Sequence, residues 1–277
     1  MKKPLISIII PTKNSELMID ACLESIKNQI YKDFEIIVVD NNSIDKTKEI
    51  ARKYTKLVFN KGPERSVQRN FGALKSNGQY LMFIDSDMEL GKSVVADCIK
   101  VFQGYKVSKI NKGLGGIVIP EESFGKGFWA KCVTLERSFY VGVEWMEAAR
   151  FFPKTVFNEF KGYDNKLISG EDWDLNQNIK TKYEIFRIKS FIRHNEGKLS
   201  LLDLLKKKMY YVSKINNYSS KLTNSSSFTK QSSIIGRYIL FFSNPVKLFK
   251  DPIIGLGMLF MKMSEFAAGG AAYIIKK

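Results

Sequence analysis

Two pairs of acidic residues and one histidine could bind a metal ion or a substrate that carries phosphate. Asp85 and Asp87 are one residue apart and follow an apolar stretch. Two carboxylates at this spacing in an extended turn can hold a hard divalent cation, Mg2+ or Mn2+, together with a ribose hydroxyl. An Asp-rich turn that caps a following helix would contain the same residues, so the spacing alone leaves both interpretations open.

Glu171 and Asp172 form the second acidic group, ahead of a helix-like segment that contains Trp173 and Leu175. A carboxylate at the start of a helix ordinarily stabilises the helix dipole. His194 is the only histidine of the chain, and a lone histidine more commonly makes a structural hydrogen bond than binds a metal. These residues become candidates for a site only through the groups that accompany them.

The elements that would position these residues show a regular alternation. Apolar runs at Leu5–Ile10, Phe34–Val39 and Tyr80–Ile84 alternate with segments of helical spacing. Strands that are apolar throughout and alternate with helices are typical of a largely parallel sheet that is covered on both faces. The pattern therefore predicts an α/β fold with a mostly parallel central sheet.

Polar residues follow each of the three predicted strands, at 11–14, 40–43 and 85–87. In sheets of this kind, ligands bind beyond the carboxyl ends of the strands. The sequence therefore predicts that the three polar clusters converge on one edge of the sheet and form a binding site there.

Four motifs occur in a fixed order along the chain. They are Val38-Val39-Asp40-Asn41-Asn42-Ser43, Gln68-Arg69-Asn70-Phe71-Gly72, Phe83-Ile84-Asp85-Ser86-Asp87 and Ser169-Gly170-Glu171-Asp172-Trp173-Asp174-Leu175. In this combination the sequence resembles the family 2 glycosyltransferases over roughly residues 5–215. The resemblance implies the GT-A fold, a nucleotide-binding α/β sandwich, and transfer of a sugar from a nucleoside diphosphate with inversion.

The resemblance also implies roles for individual residues. Asp172 matches the general base of the family with Glu171 beside it, and Mn2+ or Mg2+ is the implied cofactor. The implied metal ligands are Asp87, Asp85 and His194. Thr12, Asn14 and Asp40 would meet the nucleoside, Arg69 the diphosphate and Asp85 the ribose. The implied substrate-binding residues are together Pro11, Thr12, Asn14, Asp40, Asn42, Arg69, Asp85, Ser86 and Asp87.

Two features depart from the family pattern. Lys161-Gly162-Tyr163-Asp164-Asn165 stands where many members have a Gly-Gly-Phe-Asp-Glu run, which puts the acceptor contacts of that loop in doubt. Arg65 precedes Arg69 by four residues and could take the phosphate role in its place.

Composition bounds the partners and the location of the protein. The chain has 44 Lys and Arg against 28 Asp and Glu, a net charge of +16, which predicts encounters with nucleotide phosphates, nucleic acid or an anionic membrane surface. The scattered lysines, without an RNA-binding aromatic signature or a zinc pattern, disfavour nucleic acid.

The first residues show no signal-peptide pattern, so we expect a cytoplasmic protein. Cys22, Cys98 and Cys132 are widely spaced and predicted to be core thiols.

The C-terminal part of the chain differs in character from the rest. We predict a catalytic domain at 1–198 and a helical region at 199–277 that lies on the inner face of the cell membrane. Leu199–Tyr211 combines leucines, lysines and tyrosines, as expected of a helix in the membrane interface. A Ser/Thr/Asn-rich patch at Tyr218–Ser233 separates it from later helices.

Two later segments, Ile253–Phe260 and Phe266–Ile275, are apolar but interrupted by Lys262 and Glu265. A simple spanning helix would need about 20 predominantly apolar residues. The charges therefore favour an amphipathic helix that lies on the membrane surface. The alternative is that these helices only pack on the catalytic domain.

The sequence therefore predicts transfer of a sugar from a nucleotide-diphosphate donor to a hydroxyl acceptor, such as a lipid-linked saccharide in glycan or cell-surface polysaccharide assembly. The Glu171-Asp172 pair favours a hydroxyl, because a lipid phosphate is already an anion and needs no base. The alternatives are a polyprenyl-phosphate glycosyltransferase, a sugar nucleotidyltransferase and a nucleic-acid-binding protein. A nucleotidyltransferase would have a glycine-rich phosphate loop after the first strand, where this chain has no glycine.

Overall fold

The computed structural model of the protein describes residues 4–105, 112–214 and 233–275. The described strands are β1 (Ile6–Thr12), β2 (Phe34–Asp40), β3 (Val58–Asn60), β4 (Tyr80–Phe83), β5 (Met88–Leu90), β6 (Leu114–Val118), β7 (Glu121–Lys126), β8 (Ala149–Pro153), β9 (Glu184–Arg187) and β10 (Ile192–Lys198). The described helices are α1 (Ile19–Lys27), α2 (Thr47–Arg52), α3 (Arg65–Lys75), α4 (Val94–Gly104), α5 (Phe128–Ser138), α6 (Lys154–Glu159), α7 (Glu171–Lys180), α8 (Leu201–Lys214), α9 (Ile234–Phe242), α10 (Pro245–Leu248) and α11 (Pro252–Ile275).

The main sheet has seven strands in the order β3-β2-β1-β4-β8-β6-β9. β1 runs parallel to both β2 and β4, β2 runs parallel to β3, and β6 runs parallel to β9. β8 is antiparallel to β4 and to β6. The predicted α/β fold with a mostly parallel central sheet is therefore confirmed.

Helices cover both faces of this sheet. Ile8 of β1 packs in one apolar cluster with Leu23 of α1, whereas its neighbour Ile9 packs in a second cluster with Ala73 of α3. Successive side chains of a strand point to opposite faces. Because both faces are buried, the strand has to be apolar throughout, which is the pattern that the sequence shows.

Sequence patterns missed five of the elements: β5, β7, β8, α6 and β10. β5 has only three residues, and α6 has six. β10 has the polar sequence Ile-Arg-His-Asn-Glu-Gly-Lys and pairs with β5 and β7 in a separate three-stranded sheet. Short or polar strands have too little periodic apolar character to be recognised.

The chain forms two compact units that alternate along the sequence. The first comprises residues 1–121, 148–165 and 171–194, and the second comprises residues 122–147, 166–170 and 195–277. The second unit takes in the whole of the predicted C-terminal region, in which α8 and α11 are described helices. Most of the predicted Ser/Thr/Asn-rich patch, residues 218–232, lies outside the described residues.

The three cysteines were predicted to be core thiols. All three are free and buried, Cys22 on α1, Cys98 on α4 and Cys132 on α5. Burial raises the pKa of each thiol, because the apolar surroundings disfavour the charged thiolate.

Gly72 of α3 permits the close approach of this helix to the sheet. A Cβ atom at Gly72 would lie 2.4 Å from Cγ2 of Ile9 and 3.3 Å from Cγ2 of Val39. We expect Gly72→Ala to lower the free energy of unfolding by about 1–3 kcal/mol, because the buried strand side chains have to shift. Urea denaturation followed by circular dichroism measures this change.

Gly104→Ala is the matched control, since Gly104 is also helical and an added Cβ would meet no atom within 4 Å. Alanine is the better helix former by up to about 1 kcal/mol, so this variant should be neutral or more stable. Equal effects of the two substitutions would contradict the packing explanation.

Candidate active site

The carboxyl ends of β1 and β2 lie side by side, with Thr12 directly opposite Asp40. Asp40 is fully buried. Its Oδ1 accepts from the backbone amide of Ser43 at 2.8 Å and its Oδ2 from the Ser43 hydroxyl at 2.5 Å. Ser43 Oγ also accepts from the backbone amide of Asn14 at 2.7 Å. Asp40 therefore fixes the loop after β2 against the loop after β1.

Both of these loops contain an asparagine with left-handed backbone. Asn14 has φ 47° and Asn42 has φ 51°, a conformation that asparagine tolerates better than most residues. Both side chains are exposed. Asn14 Oδ1 accepts from the backbone amide of Ile44 at 3.1 Å, a second link between the loops.

Three consecutive residues of α3 connect separate parts of the site. Gln68 Nε2 donates to the carbonyl oxygens of Thr12 and Val39, at 3.0 Å and 2.6 Å, and so ties the ends of β1 and β2 together. Asn70 Nδ2 donates to the carbonyl of Tyr163 at 2.7 Å, and Asn70 Oδ1 accepts from the amide of Tyr163 at 2.9 Å. The residues of the Gln-Arg-Asn motif thus make different contacts from one helix.

Arg69, between these two residues, is buried between two carboxylates. Its Nη2 is 2.6 Å from Asp85 Oδ1, and its Nη1 is 3.1 Å from Glu171 Oε1. Its guanidinium also lies over the ring of Tyr163, at 5.4 Å from the ring centroid. The predicted contact of Arg69 with a diphosphate stays a prediction, because its two terminal nitrogens already face protein carboxylates.

The electrostatics of Asp85 follow from this arrangement. Burial alone would raise the pKa of this carboxyl, but Arg69, followed by Arg150 and Arg65, holds it well below its ordinary value. Asp85 is therefore ionised at neutral pH. Glu171 behaves differently, since burial and then the neighbouring charge of Asp172 raise its pKa, against the opposing effect of Arg69.

Arg150 and Glu121 belong to this charged cluster, although sequence reasoning missed both. Arg150 Nη1 lies 3.5 Å from Asp85 Oδ2, and Arg150 Nε lies 2.6 Å from Glu121 Oε1. Glu121 Oε2 in turn lies 3.7 Å from His194 Nδ1. Neither residue belongs to a motif, and β8, which carries Arg150, was itself not predicted. An arginine within the apolar run Ala-Arg-Phe-Phe was the available signal.

The divalent ion implied by the sequence can be tested against the residues around Asp87. Asp87 Oδ2 lies 3.2 Å from His194 Nε2. Its Oδ1 is buried and has no hydrogen-bond partner in the described part of the chain. A carboxylate beside an imidazole, with a buried oxygen left over, fits a divalent ion such as Mn2+.

Asp85 fits this role less well, because its two oxygens face two arginines. Among the described residues, no group of three or more His, Cys, Asp or Glu side chains is arranged as a complete metal site. Asp87 and His194 are therefore the residues that would hold the ion, and the complete predicted ligand set stays a prediction.

Glu171 and Asp172 begin α7, as the helix-like pattern predicted. Their environments differ. Glu171 is 3% exposed and paired with Arg69, whereas Asp172 is only partly buried. Asp172 Oδ1 accepts from the backbone amide of Trp173 at 2.9 Å. Of the two carboxylates, Asp172 is the one that a substrate could reach.

The remaining predicted residues lie on the same sheet edge. Pro11 and Thr12 are buried at the end of β1. The Ser86 hydroxyl donates to Ser15 Oγ at 2.9 Å, which links the turn after β4 to the loop after β1. Because β1 lies between β2 and β4, the three polar clusters do converge, as the sequence predicted.

The structure also shows the contacts of the two features that depart from the family pattern. Gly162 has φ 68°, and a Cβ there would lie 2.6 Å from Asn70 Oδ1, so this loop packs tightly on α3. Arg65, at the start of α3, has a side chain that is 46% exposed and lies 4.0 Å from Glu171 Oε1. Arg65 is therefore more open to solvent than Arg69.

Comparison with known proteins finds a family model that matches the N-terminal part of the chain. The glycosyl transferase family 2 model matches residues 7–110, which contain β1 to β5 and the Asp85–Asp87 turn. These residues match a family 2 glycosyltransferase domain. A relative from Haemophilus influenzae, described as an uncharacterized glycosyltransferase, is 41% identical over 96 residues, which are 31% of this chain and 38% of that protein.

A second relative of the glycosyltransferase domain comes from Campylobacter jejuni. It is a GalNAc(5)-diNAcBac-PP-undecaprenol beta-1,3-glucosyltransferase, 32% identical over 113 residues, which are 37% of this chain and 36% of that protein. The chain thus spans little more than a third of the length of these two relatives.

The fold of the glycosyltransferase domain is shared with solved structures. The mannosyltransferase PcManGT of Pyrobaculum calidifontis, solved with GDP-Man and Mn2+, has a TM-score of 0.61 and 13% identity, with 100% of this chain and 88% of that chain covered. At this identity the likeness bears on the fold alone, and it confirms the predicted GT-A fold.

The buried position of Arg69 leads to a prediction on stability. Arg69→Met leaves Asp85 and Glu171 buried without their cation, and breaking such a pair costs about 3–5 kcal/mol of unfolding free energy. The lowered pKa of Asp85 stabilises the folded wild type only at a pH where this carboxyl is ionised in the unfolded chain. The difference in unfolding free energy between the wild type and Arg69→Met should therefore shrink as the pH falls toward the ordinary pKa of an aspartate. Urea denaturation at pH 7 and at acidic pH measures both effects.

Arg65→Met, one helical turn earlier, is the matched control. Its ion-pair distance is 4.0 Å and its side chain is half exposed, so we expect a loss of only about 0–1 kcal/mol. If the two variants were equally stable, the buried pair would not be the constraint that the geometry indicates.

Proposed function

We propose that this protein transfers a sugar from a nucleotide-diphosphate donor to a hydroxyl of a lipid-linked saccharide, with inversion, at the inner face of the cell membrane. The family 2 glycosyltransferase domain supports the class of reaction. The observation that carries the rest of the proposal is the accessible carboxylate of Asp172, held at the start of α7 beside the buried Arg69–Glu171 pair.

In this proposal Asp172 acts as the general base. Its neighbour Glu171 is held by Arg69, so the start of α7 is fixed while the Asp172 side chain stays accessible. In the proposed step, Asp172 takes the proton of the acceptor hydroxyl, and the hydroxyl oxygen bonds to the anomeric carbon. The bond from this carbon to the diphosphate oxygen breaks, and its electron pair leaves with the nucleoside diphosphate. A positioned base contributes about 10²–10⁴-fold to such a step.

The donor would occupy the edge of the sheet where the loops after β1, β2 and β4 meet. Asn14 and Asn42 offer exposed amides there, and Arg65 offers an exposed guanidinium for the diphosphate. Asp87 and His194 would hold the divalent ion, Mn2+ or Mg2+. When bound, this ion supplies positive charge close to the departing diphosphate.

A hydroxyl acceptor suits a site that contains an accessible carboxylate, because a phosphate acceptor would be repelled by it and needs no base. The Campylobacter jejuni relative is named for a polyprenol-linked saccharide. The segment Pro252–Ala272 of α11 is long and apolar enough to cross a membrane by length and composition. Both observations support a lipid-linked acceptor and a location at the membrane.

Asp172→Asn tests the base directly. Because asparagine keeps the size of the side chain but cannot accept a proton, we expect transfer to fall about 10²-fold or more while nucleoside diphosphate binding stays within a factor of two or so. Donor consumption with a membrane-extract acceptor measures transfer, and isothermal titration with UDP and GDP measures binding. Asp174→Asn is a control on the same helix, and full turnover by Asp172→Asn would refute the assignment.

The metal pair is tested by a binding measurement that does not depend on turnover. In the wild type, Mn2+ should raise the melting temperature in the presence of a nucleoside diphosphate, and a chelator should reverse this rise. Asp87→Asn and His194→Ala should each lose most of the rise, because each removes one ligand. Asp97→Asn, on α4, should keep it. An undiminished rise in Asp87→Asn would exclude Asp87 as a ligand.

A further inference from the structure

The second unit contains a helix whose charged and apolar sides are reversed relative to those of an ordinary surface helix. α11 carries two charged residues, Lys262 and Glu265, and both are buried. Lys262 Nζ lies 2.7 Å from Glu136 Oε1 of α5 and 2.6 Å from Glu265 Oε2. The charges that interrupt the apolar sequence are therefore turned inward and neutralised by each other.

The outward side of α11 is apolar along its described length. From Ile253 to Gly270, the exposed residues follow one another at alternating steps of three and four, which places them along one side of a helix. They are Ile253, Leu256, Phe260, Met263, Ala267 and Gly270. In a soluble protein, an apolar stripe of this kind packs against the core and the charged residues face water. In α11 the charged residues are buried and the apolar stripe is exposed, so we expect something other than water to cover the stripe.

α9 repeats this arrangement beside α11. Ile235, Ile239 and Phe242 are exposed on one side of α9, while Phe241 is fully buried. The two helices are in contact, since the hydroxyl of Tyr238 donates to the carbonyl of Leu259 at 3.3 Å. Val246 of α10 is also exposed, at 82%. We call the exposed apolar side chains of α9, α10 and α11, together with that of Phe249 directly after α10, the apolar face; they are Ile234, Ile235, Ile239, Phe242, Val246, Phe249, Ile253, Leu256, Phe260 and Met263.

We propose that the apolar face is the surface through which the protein inserts into the interface of an anionic bilayer, an inference that rests on the membrane location in the proposed function. Apolar side chains of this number gain free energy by entering the boundary of the acyl chains. The stripe of α11 offers them with no charge to desolvate, because Lys262 and Glu265 are paired within the protein.

Charge decides between a bilayer and a second copy of the chain as the occupant. The chain carries a net charge of +16, so two copies repel each other, whereas anionic headgroups attract it. Lys206 and Lys207 of α8, and Lys250 before α11, are exposed lysines of the same unit. Each basic residue near an anionic surface adds attraction that decays within a Debye length.

The helix lies along the interface rather than across the bilayer. α11 packs on α5 and α8, and Lys262 is bonded to Glu136 of α5. If α11 crossed the membrane in this packing, α5 and α8 would have to enter the hydrocarbon with their exposed Lys131, Lys206 and Lys207. A charged side chain at the bilayer centre is strongly disfavoured, so only the outward side of α11 enters the lipid.

Vesicle flotation of the full-length protein tests the apolar face. The variant Leu256→Gln/Phe260→Gln removes two exposed members of it, and Ile30→Gln/Leu74→Gln makes the same kind of change at exposed positions of the first unit. We expect the wild type and the Ile30/Leu74 control to float with vesicles of 70% phosphatidylcholine and 30% phosphatidylglycerol, and the Leu256/Phe260 variant to partition at least about tenfold more weakly. Pure phosphatidylcholine vesicles should bind the wild type more weakly as well.

A second measurement keeps the test independent of that variant. Phe260→Trp should gain fluorescence that brominated lipids quench, whereas Ile30→Trp should gain fluorescence that they do not quench. Equal flotation of the wild type and the Leu256/Phe260 variant, or no quenching at position 260, would overturn the proposal. So would a wild type that is dimeric in ultracentrifugation and does not float, with a monomeric Leu256/Phe260 variant, since a second copy would then cover the face.

Nucleoside diphosphate binding separates this inference from the proposed function. All four variants should keep the wild-type response of the melting temperature to UDP or GDP, because none of the substituted residues belongs to the candidate active site. Flotation without any response to nucleotides would leave the apolar face in place and remove the proposed function. A nucleotide response without flotation would remove the apolar face alone.

Discussion

The buried guanidinium of Arg69 is the interaction on which the candidate active site depends. It joins a carboxylate in the turn after β4 to a carboxylate at the start of α7, two segments far apart in the sequence. Neither Asp85 nor Glu171 could be buried as an anion without it, since an unpaired buried charge is strongly destabilising. Arg69 therefore links the turn that holds Asp87 to the helix that holds Asp172.

In the second unit, too, a buried charge is paired within the protein. Lys262 is buried only because Glu136 and Glu265 accept it, and this pairing leaves the outward side of α11 without charge. Tyr140 extends the network, since its hydroxyl lies 2.6 Å from Glu136 and accepts from Arg237 of α9 at 2.8 Å. Internal neutralisation of charge thus determines which side of each helix remains apolar at the surface.

Much of the first unit could be predicted from the sequence, and the reasons are physical. Strands buried on both faces are apolar throughout, so β1, β2 and β4 and the polar residues at their ends were recognisable. The motif of Gln68, Arg69 and Asn70 was recognisable by resemblance, although what its residues contact appears only in the structure.

Other features depend on partners that are distant in sequence and could not be predicted. Arg150 and Glu121 join the charged cluster through contacts to Asp85 and His194 that leave no local pattern. The sequence predicted that Lys262 and Glu265 belong to an amphipathic helix, but it did not show that both charges are buried. Hydropathy gives the order of apolar and charged residues, but it does not tell which side of a helix meets the protein.

The burial of the three cysteines has a consequence for the chemistry that the protein can withstand. Their raised pKa values keep the thiols protonated at neutral pH, and a protonated, enclosed sulfur reacts slowly with oxidants and alkylating agents. Cys22 lies 3.6 Å from the backbone carbonyl of Asp85, so oxidation there would disturb the turn that leads to Asp87. Because that sulfur is enclosed, the turn that leads to Asp87 is protected from oxidation at this position.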